Sequence, residues 1–148
     1  MPRMNKKQGF ADFGAVQRNE RWSWSAITPK KDKVIITLWK HELMGPNKDY
    51  YDTRELSGIL PNDWKDHLGN KERIELLRYA QKNLESILYV LLCKAKDENQ
   101  QPFKIQEVEP WKINNKYKRV MLTFLDQTVG HYRVEYLDAV TMRKRIKK

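Results

Sequence analysis

The sequence predicts a mainly β, α+β fold in which one principal helix, over about residues 70–83, packs on a curved antiparallel sheet or small barrel. Three observations support this fold class. Apolar residues make up 40% of the 148 residues, which is enough for one hydrophobic core. Short apolar or alternating segments recur along the chain, as strands do. A single long segment has helical spacing, and the strands follow one another too closely for βαβ crossovers.

The first two strands form a predicted hairpin. In residues 21–27 (RWSWSAI) tryptophan or alanine alternates with serine, which is the period of a strand. After a turn at 29–33, the β-branched segment 33–39 predicts a second strand. Residues 40–69 contain three turn signals and are long for a plain connection. We therefore expect this stretch either to carry function or to form short elements of its own.

The helix and four later strands complete the predicted fold. Asn70 is expected to cap a helix that runs to about Asn83, with its apolar residues on one face. Residues 86–93 are apolar at successive positions, which is typical of a central strand. Further strands are predicted over 103–108, 119–125 and 131–136. No repeat or domain boundary interrupts this order, so we expect one domain spanning residues 1–148.

Positive charge is concentrated at the two ends of the chain. The net charge is +10, yet residues 9–140 carry only +2, because eight of the 29 basic residues lie in the first and last eight positions. We expect flexible basic ends over about 1–9 and 141–148. Such ends favour nucleic acid in a salt-sensitive way that does not depend on base sequence. Ends that only keep the protein soluble are the alternative.

The composition argues against several classes of protein. The one cysteine, Cys93, cannot form an internal disulfide, and a multi-cysteine zinc site is excluded. No apolar segment is long enough to span a membrane and no signal peptide is visible, so a cytoplasmic protein is expected. A glycine-rich phosphate loop and a G-x-S-x-G elbow are absent from the sequence. We expect no catalytic activity, no cofactor and no metal site in this chain.

Large aromatic side chains are dense in the first half of the sequence. Six of them lie within 43 residues: Trp22, Trp24, Trp39, Tyr50, Tyr51 and Trp64. Burial in the core is the ordinary role of any one of these rings. Rings beside polar loop residues can also stack on a flat base.

The segment over residues 34–52 resembles the base-pocket segment of SET- and RING-associated (SRA) domains, which belong to the PUA-like group of curved barrels. In that family an aromatic residue ends an apolar strand, an acid follows three residues later, and a second aromatic comes twelve residues after the first. Trp39, Glu42 and Tyr51 keep that spacing. Gly69-Asn70 is similar to the pair that opens a helix in the family, so the resemblance covers about residues 34–93. The family's glycine-rich segment after the second aromatic is missing.

The resemblance implies a PUA-like barrel that flips a modified cytosine out of DNA into a pocket. Trp39 and Tyr51 would stack on the base, and Glu42 would accept a hydrogen bond from its exocyclic amine. His41 and Asp52 belong to the same expected pocket. Further ring contacts are expected from Trp22 and Trp24. The residues expected at the nucleic-acid backbone are Arg18, Arg21, Lys40, Lys48, Asn70, Lys71, Arg143, Lys144 and Arg145.

The sequence therefore predicts a module that binds double-stranded DNA at a modified, for example methylated, cytosine. We expect it to act in a modification-dependent restriction or defence system, with a nuclease partner or as a homodimer. Three alternatives stay open: an RNA-binding PUA-like protein, a small nuclease that uses the acids of residues 49–55, and a phage or accessory protein that binds another protein. Preference for methylated duplex, magnesium-dependent cleavage and salt-sensitive affinity separate these classes.

Overall fold

In the described residues, two α-helices pack on opposite faces of one large sheet. The computed structural model describes residues 4–19, 23–55, 68–99, 104–128, 130–138 and 140–141. Within these ranges the helices are α1 (Lys6–Asp12) and α2 (Leu68–Asn83), and short 3-10 turns lie at Lys40–Glu42 and Thr53–Glu55. The strands are β1 (Ser25–Ile27), β2 (Val34–Trp39), β3 (Tyr50–Asp52), β4 (Ile87–Ala95), β5 (Ile105–Pro110), β6 (Lys112–Ile113), β7 (Lys116–Tyr117), β8 (Arg119–Leu125) and β9 (Tyr132–Tyr136).

Seven strands form a curved, open, mixed sheet. Its order is β1-β2-β4-β8-β9-β3, and β5 pairs separately with β4, while β6 and β7 form a small hairpin of their own. The predicted mainly β, α+β class is confirmed. The stretch 40–69 does contain short elements, namely β3 and the two 3-10 turns.

One strand pair departs from the predicted antiparallel sheet. Strands β2 and β4 are parallel, in a register that runs from Ile35 opposite Tyr89 to Trp39 opposite Cys93. A parallel pair needs a long crossover, and the stretch 40–69 followed by α2 supplies it. The expectation that no βαβ crossover occurs was therefore wrong at this pair, because the irregular stretch and the helix act together as one connection.

Strand β4 is central, as predicted, and its partner on one side changes halfway along. Its first residues, Ile87–Tyr89, pair with β8, whereas Leu91–Ala95 pair with β5. At the change the Trp111 backbone N–H donates to the Val90 carbonyl at 2.9 Å. This fork lets β5 and the hairpin after it diverge from β8.

Each face of the sheet has its own apolar cluster because side chains alternate along a strand. Helix α2 covers one face, here called the α2 face, and buries Leu77 and Ala80 against it. Helix α1 covers the other, the α1 face, with Phe10, and Phe13 at the end of the helix packs there too. Even-numbered residues of β2 and β4 point to the α2 face, namely Val34, Ile36, Leu38, Leu88, Val90 and Leu92. Odd-numbered residues point to the α1 face, namely Ile35, Leu91 and Cys93.

Helix α1 replaces part of the predicted flexible end. The Asn5 side chain accepts from the Gln8 N–H and the Gln8 side chain accepts from the Asn5 N–H, both at 2.9 Å, which is a capping box. Phe10 is fully buried. A Cβ at Gly9 would lie 2.6 Å from a Leu91 methyl, so only glycine lets the helix approach the sheet this closely. Residues 1–3 and 142–148 lie outside the described residues.

Helix α2 begins two residues earlier than predicted. It runs from Leu68 to Asn83, so Asn70 lies within the first turn and is not the N-cap residue. Asn70 is also buried, with 6% of its surface exposed. Burial of Leu77 and Ala80 on one face agrees with the predicted helical spacing.

Candidate nucleic-acid interface

The candidate site lies at the carboxyl end of the parallel pair β2–β4. Trp39 ends β2 opposite Cys93, and the following turn, Lys40–Glu42, contacts β4. Helix α2 then returns the chain to the amino end of β4, so its first turn lies at the same carboxyl end. In α/β sheets, ligands bind outside the carboxyl ends of parallel strands. Several of the residues predicted for the base pocket lie here.

Two tryptophans and a lysine form a half-buried aromatic group on the α1 face. The rings of Trp24 and Trp39 have centroids 6.1 Å apart and are tilted by 47°. The Lys6 ammonium lies 3.9 Å from the Trp24 centroid and donates to the Ser23 carbonyl at 3.0 Å. Partial burial lowers the pKa of Lys6 from its ordinary value. The His41 ring is 6.2 Å from Trp39, and we call Lys6, Trp24, Trp39 and His41 the aromatic face.

Strand alternation explains why these rings meet. Trp39 is on the same side of β2 as Ile35, which belongs to the α1-face cluster. The Thr37 N–H and hydroxyl both donate to the Trp24 carbonyl, at 3.2 and 2.8 Å, which places Trp24 beside Thr37 on the neighbouring chain segment. Trp24 therefore reaches Trp39 diagonally across the pair. Its predicted partner Trp22 lies outside the described residues, as does Trp64.

The structure does not bring together the two rings that the SRA-like spacing pairs. Tyr51 is buried in the α2-face cluster, where its ring centroid is 5.7 Å from that of Tyr132. Burial, together with the neighbouring Tyr132 and Glu42, raises the pKa of Tyr51 well above its ordinary value. Trp39 packs against the other cluster. The predicted sandwich of a base between Trp39 and Tyr51 is therefore wrong in this geometry.

Glu42 lies with Tyr51 and away from the aromatic face. The 3-10 turn carries the chain off the end of β2, and the next residue, Leu43, is buried in the α2-face cluster. Burial raises the pKa of Glu42. Glu42 makes no hydrogen bond or ion pair within the described part of the chain. Burial is the main cause of the raised pKa of Tyr132, and the negative charge of Glu42 raises it further. The turn thus separates Glu42 from Trp39 although only two residues intervene.

Asp52 has a structural role instead of the predicted pocket role. It is 2% exposed and accepts from Arg54 at 3.0 and 2.7 Å and from Arg133 at 3.3 Å. Burial alone would raise the pKa of Asp52, but the hydrogen bonds from Arg54 and Arg133 lower it below its ordinary value. Arg133 also pairs with Glu55 at 3.1 Å. These pairs hold β3 and its following turn against β9.

The predicted backbone-binding residues fall into different environments. Arg18 pairs with Glu72 at 3.5 Å, and Lys40 pairs with Glu109 at 3.1 Å, yet both cations remain largely exposed. Lys48 and Lys71 are exposed. Arg21, Arg143, Lys144 and Arg145 lie outside the described residues. Lys40, next to Trp39, is the cation of this set closest in sequence to the aromatic face.

Buried polar groups at the first turn of α2 were not predicted as site residues, apart from Asn70. Neither amide atom of Asn70 has a hydrogen-bond partner in the part of the chain that the structure describes, so both a donor and an acceptor stay available. Gly130 packs on this amide, since a Cβ there would lie 3.0 Å from the Asn70 nitrogen. Arg73 follows one turn later and lies 5.8 Å from the Tyr132 ring centroid. Lys6 of the aromatic face was not predicted either. The capping-box pattern at Asn5 and Gln8 was the sequence signal for a helix that begins at Lys6.

Other candidate chemistry is weak where the chain is described. Burial raises the pKa of the Cys93 thiol to about 12, which agrees with the expected inert side chain. No group of three or more His, Cys, Asp or Glu side chains is arranged to hold a metal among these residues. Over the same ranges, no helix is long and apolar enough to cross a membrane.

Comparisons of the chain with protein-family models, curated proteins and solved structures find no match. The SRA-like spacing is therefore supported only by the sequence of residues 34–93, and the candidate site only by the contacts described above.

Proposed function

We propose that this protein binds double-stranded DNA, without cutting it, through the aromatic face. The observation that carries this proposal is the half-buried Trp24–Trp39 pair with the Lys6 ammonium over one ring. Aromatic faces stack on bases, and adjacent cations neutralise phosphates. Exposed Lys40 lies directly after Trp39, so a phosphate contact is available beside the rings.

A stacking surface requires a base that has left the duplex stack. Extruding a base costs a few kcal/mol, and stacking on a protein ring returns about 1–3 kcal/mol per base. The centroid separation of 6.1 Å means that Trp24 and Trp39 already contact each other. A base would therefore stack on the outer surface of the pair. In this proposal Trp24, and not Tyr51, is the second ring beside Trp39.

The proposed base is a modified cytosine, because residues 34–93 resemble the SRA segment that surrounds a flipped cytosine; Glu42 has no part in reading that base in this geometry. The net charge of +10 supports phosphate binding in general. A partner or a second copy of the chain would supply any nuclease step in a defence system.

The nuclease alternative has less support. A metal-dependent nuclease would need carboxylates of residues 49–55 to be available as ligands. Asp52 instead accepts from two arginines, and Glu55 pairs with Arg133 at 3.1 Å. These carboxylates are committed to structural ion pairs.

A binding panel tests the proposal. One duplex sequence is prepared with cytosine, methylcytosine, hydroxymethylcytosine or glucosylated hydroxymethylcytosine, and matching single-stranded DNA and RNA are included. Affinity is measured at two salt concentrations, and cleavage is assayed with magnesium. We expect a modified duplex to bind tightest and all affinities to fall with salt. Tighter RNA binding, magnesium-dependent cleavage, or no salt-sensitive affinity for any nucleic acid would each contradict the proposal.

A further inference from the structure

A cavity of about 280 Å³ lies at the amino end of β4, at the opposite end of that strand from the aromatic face. It forms where the turn between α2 and β4 meets the turn between β1 and β2. Its lining includes Asp32, Leu84, Glu85, Ile87, Tyr89 and Arg119. The cavity is therefore separate from the proposed DNA-binding surface.

The lining contains a carboxylate and a guanidinium that are not paired with each other or with another described side chain. Glu85 and Arg119 make no ion pair or hydrogen bond with side chains within the ranges that the structure describes, and both are exposed. Asp32 differs, since it accepts from the Thr28 hydroxyl and lies 3.8 Å from the Lys33 ammonium. A ligand in the cavity therefore meets one available carboxylate and one available guanidinium.

The remaining lining consists of the amide of Asn83 and the apolar or aromatic side chains of Leu84, Ile87 and Tyr89. Tyr89 of β4 and Arg119 of β8 are directly opposite in the antiparallel register, so their side chains share one face of the sheet. The Tyr89 ring packs edge-on to Tyr117, with centroids 6.0 Å apart, and 6.1 Å from Phe13. Ile87 and Tyr89 are two residues apart on β4, so their side chains lie on the same face of the sheet. Tyr89 and Arg119 therefore line the cavity from adjacent strands.

The turn that supplies Glu85 has an unusual backbone. Glu85 and Ser86 have φ angles of 54° and 63°, in the left-handed region that glycine adopts more easily. The turn ends α2 through hydrogen bonds from Leu84 and Ser86 to the Ala80 carbonyl, at 2.9 and 3.0 Å. Glycine is the usual residue at such a helix end. This helix end places the Glu85 carboxylate at the cavity.

We propose that this cavity binds the base of a guanine nucleoside or nucleotide. A carboxylate such as Glu85 can accept from the N1–H and 2-amino groups of guanine, while a guanidinium such as Arg119 donates to O6 and N7. The ring would pack against Tyr89. A ligand with only negative groups would meet the Glu85 and Asp32 carboxylates, and one with only positive groups would meet Arg119. Guanine satisfies both charges in one plane, with donors on its Watson–Crick edge for Glu85 and acceptors on its Hoogsteen edge for Arg119.

A calorimetric titration of the full-length protein with guanosine tests this site. We expect saturable one-to-one binding that weakens about tenfold or more for inosine, which lacks the 2-amino group, and for adenosine. Glu85→Gln and Arg119→Met should each weaken guanosine binding about tenfold or more, since each removes a charge-assisted hydrogen bond. Glu98→Gln, a change at an exposed residue outside the cavity, serves as the matched control.

A second variant separates ligand binding from folding. Glu85→Gly removes the carboxylate while relieving the left-handed backbone, so it should raise the melting temperature and still lose guanosine binding. No guanosine binding by the parent at millimolar concentration, equal binding by all variants, or preferential binding of a free amino acid would overturn the proposal.

Discussion

The Lys6 ammonium of α1 lies 3.9 Å from the ring centroid of Trp24, which immediately precedes β1. The same ammonium donates to the Ser23 carbonyl at 3.0 Å, so one side chain fixes both the backbone and the ring of this segment. Trp24 in turn contacts Trp39. Helix α1 therefore orders the aromatic face as well as covering the sheet.

Lys6→Met is the first test of this arrangement. Methionine keeps the apolar stem of the side chain but removes the charge, so the helix should form and the free energy of unfolding should fall by about 0.5–1 kcal/mol, the energy of the lost cation–π contact. DNA affinity should fall as well, because a positive charge beside the rings is lost. The slope of log affinity against log salt should also decrease by about 1 if Lys6 contacts a phosphate. Lys30→Met, at an exposed lysine in the β1–β2 turn, is the control. Identical salt slopes for Lys6→Met and the parent would place Lys6 outside the interface.

Local sequence signals predicted the elements better than their arrangement. The β-branched segment of β2 and the helical spacing of α2 were sufficient to locate both within two residues. Helix α1 was missed because it has only seven residues and lies in a basic segment, although its capping box was visible. The parallel β2–β4 pair was missed because an irregular 30-residue stretch does not show that it belongs to a crossover.

The pocket was only partly predictable for a different reason. Spacing along the chain predicted that Trp39 ends an apolar strand, and β2 does end at Trp39. The same spacing could not show that the turn at Lys40–Glu42 moves the chain to the other face of the sheet. Tyr51 consequently joins the α2-face cluster. Face assignment depends on tertiary packing, which residue intervals do not record.

Trp39 and Tyr51 therefore make a paired test. Trp39→Ala should weaken binding of the preferred duplex by about 1–3 kcal/mol, because one stacking ring is lost. Tyr51→Phe should bind like the parent, since the Tyr51 ring is in the core and keeps its shape. Melting temperatures show whether each variant is folded, and Trp39→Phe provides a smaller change at the same position. Loss of binding in Tyr51→Phe with full binding in Trp39→Ala would contradict the aromatic face.

Asp52 predicts a defined pH dependence of stability. Its pKa is lowered from the ordinary value of 3.8, so the native state binds the proton more weakly than the unfolded state. Its contribution is fully present above pH 3.8 and is lost as pH falls through the lower native pKa. Asp52→Asn should reduce the free energy of unfolding at pH 7 by about 1–3 kcal/mol. Urea unfolding at several pH values, with Glu98→Gln as control, should show that the difference in free energy of unfolding between the parent and Asp52→Asn disappears only in acid. A difference that is the same at every pH would contradict this role of Asp52.

Deletion of residues 142–148 tests the basic C-terminal end. The segment carries five positive charges and no acid, so its loss should weaken binding of every duplex together and make the salt slope shallower. The preference among cytosine modifications should survive, because backbone contacts carry no base information. Titrations of modified and unmodified duplexes at two salt concentrations measure both effects. Unchanged affinity at low salt would show that this end does not contact DNA.

Glu42→Gln distinguishes a base-reading carboxylate from one that is only buried. Burial raises the pKa of Glu42 above its ordinary value of 4.5, so the native state favours the protonated form and ionisation destabilises it. The parent should lose stability as pH rises from 4.5 through the higher native pKa, and Glu42→Gln, which keeps the size without the charge, should avoid that loss.

The two outcomes of Glu42→Gln are measured separately. Urea unfolding at pH 4 and pH 7 should show the variant to be more stable than the parent only at the higher pH, and a variant that is less stable at pH 7 would contradict a desolvated, unpartnered carboxylate. Duplex binding gives the second outcome. Glu42 acts electrostatically on Tyr51 and Tyr132 of the α2-face cluster, whereas Trp39 packs against the α1-face cluster, so we expect discrimination among cytosine modifications to be unchanged. Weaker discrimination would instead show that Glu42 contacts the base and that the turn at Lys40–Glu42 rearranges when DNA binds.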